Sequence, residues 1–295
     1  MSVVEKEQGP LEGPARPERA YTLARPQDER APVLIASPHS GTHYPEALVS
    51  NLCVPLMDLR RTEDAYVDRL IDKAPDLGAT LIAATHARSY VDLNRDPREL
   101  DAGMFEGRPP GPVATPTPRV QAGLGCLPRI GAGGETIYAK KLSTADGEAR
   151  LLGTHAPYHQ ALGDEIAALR QDFGSMILLD MHSMPSRQPG RPNLPDIVLG
   201  DRFGSSCTSK LTGLAERTFR KHGLSVTRNA PYAGGYTTRM YGRPQRGAHA
   251  LQIEINRALY LDEMNVELLP QADALRDVLQ DMMAEVVQLS LRICP

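Results

Sequence analysis

Five short apolar runs, at residues 33–36, 81–84, 176–179, 197–199 and 250–255, punctuate this chain, with helical stripes between them. Each run has the length of a strand buried on both faces. The intervening stripes recur at helical spacing: Tyr66, Val67, Leu70 and Ile71; Tyr158, Leu162, Ile166 and Leu169; and Leu211, Leu214, Ala215 and Phe219. A last helix is expected over roughly 270–291. Strands alternating with helices give an α/β fold: a single domain with a mixed, mainly parallel sheet flanked by helices on both faces. In such sheets the functional site lies at the carboxyl ends of the strands.

The remaining composition narrows the function. With 41% hydrophobic residues, 295 residues suffice for a sizeable core. Residues 1–30 mix Pro, Glu, Arg and Gly without apolar periodicity and are expected to be a flexible tail, leaving residues 31–295 as the domain. The net charge of −3 supplies no field to attract nucleic acid or an anionic membrane, and a chain with no Trp and four Phe lacks base-stacking platforms. Small ligands are the expected partners, with self-association into a homo-oligomer compatible with the sequence. Cys53, Cys126, Cys207 and Cys294 lie too far apart for a CxxC pair, so they read as free thiols rather than zinc ligands. No apolar run approaches 18 residues and the first residues lack a signal-peptide core, so a cytoplasmic location is expected. Two segments, 104–135 and 184–195, are rich in Pro and are expected to be loops beside a site.

Three apolar runs empty directly into polar clusters. The first strand delivers His39 into the turn Ser37-Pro38-His39-Ser40-Gly41, and the run at 176–179 ends in Asp180-Met181-His182-Ser183. A single such histidine is equally explained by a hydrogen bond to a loop carbonyl. Two, at separate strand ends, can converge on one metal ion, and Asp180 can orient the ring of His182. The third ligand of such a site is commonly a carboxylate, and Thr62-Glu63-Asp64 opens the next helical stripe. Glu63 precedes Tyr66, Val67 and Leu70 by three, four and seven residues and so shares their inward face, whereas Asp64 is turned about 100° away. A solvated acidic first turn competes with this reading, as does the pair His43 and Glu46.

Beyond the second strand, Arg88-Ser89-Tyr90-Val91-Asp92-Leu93-Asn94-Arg95 offers Arg95 as a planar fork for a carboxylate, with Asn94 beside it, unless Asp92 consumes the arginine. In His249-Ala250-Leu251-Gln252-Ile253-Glu254-Ile255-Asn256 polar and apolar residues alternate. A carboxylate inside so apolar a strand needs a partner or a purpose, which makes Glu254 the candidate general base. Upstream, residues 230–239 form a Gly-rich loop carrying hydroxyls and Arg239.

Taken together, these clusters and Asp196-Ile197-Val198-Leu199-Gly200-Asp201 resemble the N-formylglutamate amidohydrolase family over about residues 33–262. The resemblance implies a fold similar to zinc carboxypeptidases and aspartoacylases. It also implies a zinc ion on His39, Glu63 and His182, and Glu254 as base. Asn94 and Arg95, with Arg88 or Arg239, would grip a small acidic N-acyl amino acid. The implied activity is hydrolysis of N-formyl-L-glutamate to formate and L-glutamate. The alternatives are a sister amidohydrolase with another acyl or amino-acid half, and a non-catalytic small-anion binding protein.

Overall fold

The computed structural model describes residues 19–188, 190 and 193–293. Seven strands form one sheet: β1 (Tyr21–Ala24), β2 (Val33–Ser37), β3 (Thr80–Ala84), β4 (Met176–Met184), β5 (Ile197–Gly200), β6 (Val226–Arg228) and β7 (Ala248–Asn256). Their order across the sheet is β1-β3-β2-β4-β7-β5-β6. Strands β3, β2, β4 and β7 run parallel, β1 and β5 oppose their neighbours β3 and β7, and β6 is parallel to β5. This is the mixed, mainly parallel sheet expected, and all five apolar runs lie in it.

Helices α1 (Val67–Leu70), α3 (Ser209–Lys221) and α5 (Ala272–Ile293) bury Leu70, Phe219, Leu279 and Val286 against one face, where Ile35, Leu179, Met181, Leu251 and Ile253 project. Helix α2 (Ala156–Phe173) covers the other, placing Tyr158, Leu162 and Leu169 over Leu34, Ala36, Ile82, Leu178 and Ala250. A short helix α4 (Tyr236–Tyr241) follows the Gly-rich loop. Among the described residues no helix is long and apolar enough to cross a membrane.

Strands β4 and β7 are nine residues each and pair in register from Met176 beside Ala248 to Met184 beside Asn256. Side chains two apart share a face, so on the α2 side each strand starts apolar and turns polar. Met176 and Leu178 give way to Asp180 and His182, and Ala248 and Ala250 to Gln252 and Glu254. The register sets His182 directly beside Glu254.

The amino-terminal boundary moves. Residues 1–18 lie outside the described residues, but Tyr21–Ala24 pair with Leu81–Ala84 as an edge strand, ten residues before the expected domain start. Arg25 and Arg30 both reach Glu165 on α2, a carboxylate only 5% exposed, Arg30 at 2.6 Å. The polar alternation of Tyr21-Thr22-Leu23-Ala24 is short and half-exposed, which is why it carries no strong strand signal. Deleting residues 1–30 removes these pairings and strands Glu165 without partners. Losing an edge strand and both partners of Glu165 is expected to cost a few kcal/mol, as breaking a buried ion-pair network does, so the truncated protein should melt about 5 °C lower in a thermal unfolding scan. An unchanged midpoint would restore the boundary at residue 31.

Candidate metal centre and active-site cavity

A cavity of about 430 Å³ opens over the carboxyl ends of β2, β4 and β7, lined by the β2 turn, the 104–135 segment and the Gly-rich loop. At its floor His39, Asp64 and His182, all buried, bring one donor atom each to a common point. His39 Nδ1 and His182 Nδ1 are 3.1 Å apart, and Asp64 Oδ2 lies 3.2 Å and 2.9 Å from them. A tetrahedral ion with bonds of about 2.0–2.1 Å sets its ligands about 3.3 Å apart, so this triangle has the dimensions of three of four zinc ligands.

The chemistry of the donors agrees. His39 Nε2 donates to Asp92 Oδ1 at 2.8 Å, which leaves its Nδ1 as a bare lone pair. Asp180 Oδ2 sits 3.1 Å from His182 Nε2 as an ion pair without a directed hydrogen bond, and Asn94 Nδ2 approaches the same nitrogen at 3.0 Å. Where the Nε2 proton faces Asp180, rather than that nitrogen accepting from Asn94, the second Nδ1 lone pair turns towards the first. Two lone pairs and a carboxylate oxygen at this spacing repel unless a cation or proton lies among them. Burial alone would lower the His182 pKa, but Asp180 and Asp64 outweigh it and raise it well above the usual histidine value. Burial would raise Asp64, yet His182, His39 and Arg88 hold its carboxyl well below the usual range. The site therefore demands positive charge.

The local sequence explains the placement. Gly41 passes so close to the next turn that a Cβ there would sit 2.2 Å from the His86 carbonyl oxygen, so only glycine lets the β2 turn fold beneath the cavity. Asp64 N donates to the His39 carbonyl at 3.1 Å, pinning the two ligand segments together. The other Asp64 oxygen accepts from Arg257 at 3.2 Å and Arg88 at 3.3 Å, which leaves Oδ2 for the centre.

The acidic ligand position corrects the sequence reading. Glu63 does not join the histidines: it accepts from Tyr44 and faces Arg60 at 3.7 Å. Burial pushes its carboxyl up to about 7, against the Tyr44 hydrogen bond. The helical phase that favoured Glu63 fails because Tyr66 takes a left-handed φ of 61° and the helix begins only at Val67. His43 and Glu46 are not in the donor triangle.

Among the other expected residues, Glu254 lines the cavity, is 6% exposed, and accepts from Gln252 Nε2 at 2.7 Å. Burial raises its pKa, with Asp64 adding to the effect and His182 and Arg88 opposing it. Asn94 is buried, and its carbonyl oxygen accepts from Thr237 N at 2.8 Å. Arg95 lines the cavity and donates only to the carbonyls of Leu124 and Asn94, so Asp92 does not consume it. Arg88 lines the cavity too, but is held by Asp64 and Asp92. Arg239 does not reach the cavity; it lies over the Tyr236 ring and meets Asp96 at 3.5 Å.

Several residues escaped the sequence reading. Gln252 Oε1 accepts from Gly235 N at 2.7 Å, tying the Gly-rich loop to the strand that carries Glu254. Arg257, 5% exposed, ends that same motif, and a buried arginine always needs acceptors. Arg119 stands alone as the charged residue between Arg108 and Arg129, the one signal in that segment. His155, at the end of a π-helical turn, and His159 on α2 meet the carbonyls of Arg95 at 3.0 Å and Leu93 at 2.8 Å, bracketing Asn94.

The N-formylglutamate amidohydrolase family model matches residues 31–261. The N-formylglutamate deformylase of Pseudomonas aeruginosa is 34% identical over 241 residues, covering 79% of this chain and 84% of the relative. That of Pseudomonas putida is 34% identical over 245 residues, 79% and 83% of the two chains. The crystal structure of N-formylglutamate amidohydrolase from Ralstonia eutropha JMP134 superposes with a TM-score of 0.87 at 36% identity, covering 92% of this chain and 99% of that one.

Two predictions follow from this geometry. Asp64→Asn is expected to remove stoichiometric divalent metal, measured by elemental analysis after dialysis, while Glu63→Gln keeps it; the reverse pattern would reinstate Glu63. Burial, then the neighbouring His155, lowers the His159 pKa from 6.5 to about 3. Between those values the unfolded chain binds a proton that the folded one rejects, so stability falls as pH drops below about 6.5. Urea unfolding at several pH values should show this slope, shallower in His159→Gln.

Proposed function

The chain belongs to the N-formylglutamate amidohydrolase family, and from that premise we propose that it hydrolyses N-formyl-L-glutamate to formate and L-glutamate with a zinc ion on His39, Asp64 and His182. The observation that carries the reading is the juxtaposition of the donor triangle with Glu254, set beside His182 by the β4–β7 register. Two inward lone pairs and one carboxylate oxygen make an open three-ligand set, the number a catalytic rather than structural zinc takes. Bound there, zinc would supply an acidified water and a polarised formyl carbonyl.

Everything else falls to the side chains. Glu254 accepts the proton of the attacking water and returns it to the departing amino nitrogen. A carboxyl raised by burial is suited to both halves of that exchange, since the best acid–base catalysts titrate near the working pH. Gln252 holds one Glu254 oxygen, fixing its aim. Asp92 and Asp180 hold the ligand histidines from behind, and Arg88 and Arg257 hold the spare oxygen of Asp64. Arg95, which meets only neutral carbonyls, keeps its charge for a substrate carboxylate. A passive anion-binding protein would have no use for a buried carboxyl beside the donor triangle.

Glu254→Gln preserves shape and removes the titrating group. Formate release from N-formyl-L-glutamate is expected to fall about 10²–10⁴-fold in kcat, with metal content unchanged by elemental analysis. Near-normal turnover would remove Glu254 as the base, and absence of formate from the unaltered protein would overturn the substrate assignment.

A further inference from the structure

Five arginines line the cavity against the three carboxylates of Asp64, Asp92 and Glu254, and their hydrogen bonds divide them. Arg88 is taken by Asp64 and Asp92, and Arg257 by Asp64, Ser183 and the Arg61 carbonyl. Arg61 spends its guanidinium on Asp58 and the Met264 carbonyl. Two remain. Arg95 donates only to neutral carbonyls, and the Arg119 side chain has no acceptor within hydrogen-bond distance and no carboxylate within ion-pair distance among the described residues. They are close enough that, after burial, the Arg95 charge is the chief influence lowering the Arg119 pKa. Asp92 and Glu99 act on Arg119 only from a distance, and two guanidinium groups facing one space, neither in an ion pair with a carboxylate, repel until an anion enters.

Any N-formyl amino acid brings one carboxylate, at its α carbon, and Arg95 beside Asn94 suffices for it. A second unpaired guanidinium is surplus unless the ligand carries a second carboxylate. Resting on the reading of the site as an N-formyl amino acid hydrolase, we propose that Arg119 binds the side-chain carboxylate and so makes the enzyme select an acidic amino-acid half. Its approach from the 104–135 segment, separate from the strands that hold the reacting groups, lets selection and chemistry be altered apart.

The test compares N-formyl-L-glutamate with N-formyl-L-glutamine, equal in length but neutral at the side chain. In Arg119→Gln the KM for N-formyl-L-glutamate is expected to rise about tenfold or more, that for N-formyl-L-glutamine to stay within about twofold, and kcat for both to change by less than about threefold. Arg119→Lys should restore part of the preference, because it returns the charge without the fork. Glutarate, a dicarboxylate, should compete more weakly in the glutamine variant, while butyrate competes equally in both. Retained preference for the acidic substrate, or an equal loss on both substrates, would overturn the assignment. If the unaltered protein released no formate from N-formyl-L-glutamate, the hydrolase reading would fail by itself. Calorimetric binding of glutarate to the unaltered and Arg119→Gln proteins would still decide whether Arg119 holds a second carboxylate.

Discussion

Three electron-rich atoms, two imidazole nitrogens and one carboxylate oxygen, are held within about 3 Å of one another in a buried place at the ends of β2 and β4. Left alone, that arrangement would spring apart. Each donor is therefore gripped from behind: His39 by Asp92, His182 by Asp180, and Asp64 by two arginines on its far oxygen. The parallel sheet supplies the rigidity, since β2 and β4 are buried throughout and β7 everywhere but His249, and they cannot give way without opening the core. What surrounds the centre is best understood as the apparatus that keeps repelling groups in place.

Charge balance extends the same idea outward. Asp92 serves two masters, accepting from His39 and pairing with Arg88, and Arg88 reaches back to Asp64. This ring of alternating signs lets several ionised groups stay buried, because each finds a counter-charge or a donor within hydrogen-bond reach. Glu254 stands outside that ring with a neutral amide for its partner. Carboxylates of the same chemical type are thus set apart by their partners alone.

The strands and long helices were legible because their signal is local: apolar runs and stripes report burial whatever the rest of the chain does. The histidines could be named since each directly ends an apolar run, and Glu254 since it interrupts one. Glu63 against Asp64 could not be settled by periodicity, because the choice turns on the left-handed Tyr66, a tertiary decision without a local cue. Arg239 and Arg119 show the same limit. Arg119 sits in a Pro-rich segment without period and Arg239 on the short helix α4 after the Gly-rich loop, and which of them faces the cavity depends on how those segments fold over the sheet. Strands β1 and β6 were missed because each lies at an edge of the sheet, half or more of it exposed, and needs little hydrophobicity.

The bond from Gly235 to Gln252 carries a consequence for timing. Gln252 uses its oxygen on the loop and its nitrogen on Glu254, so one planar amide joins the cavity wall to the buried carboxyl. An amide cannot rotate one end without the other. Any excursion of the loop that breaks the Gly235 bond also loosens the aim of Glu254, and its return aims the carboxyl again. The amide behaves as an interlock: the wall and the Glu254 carboxyl keep their places together.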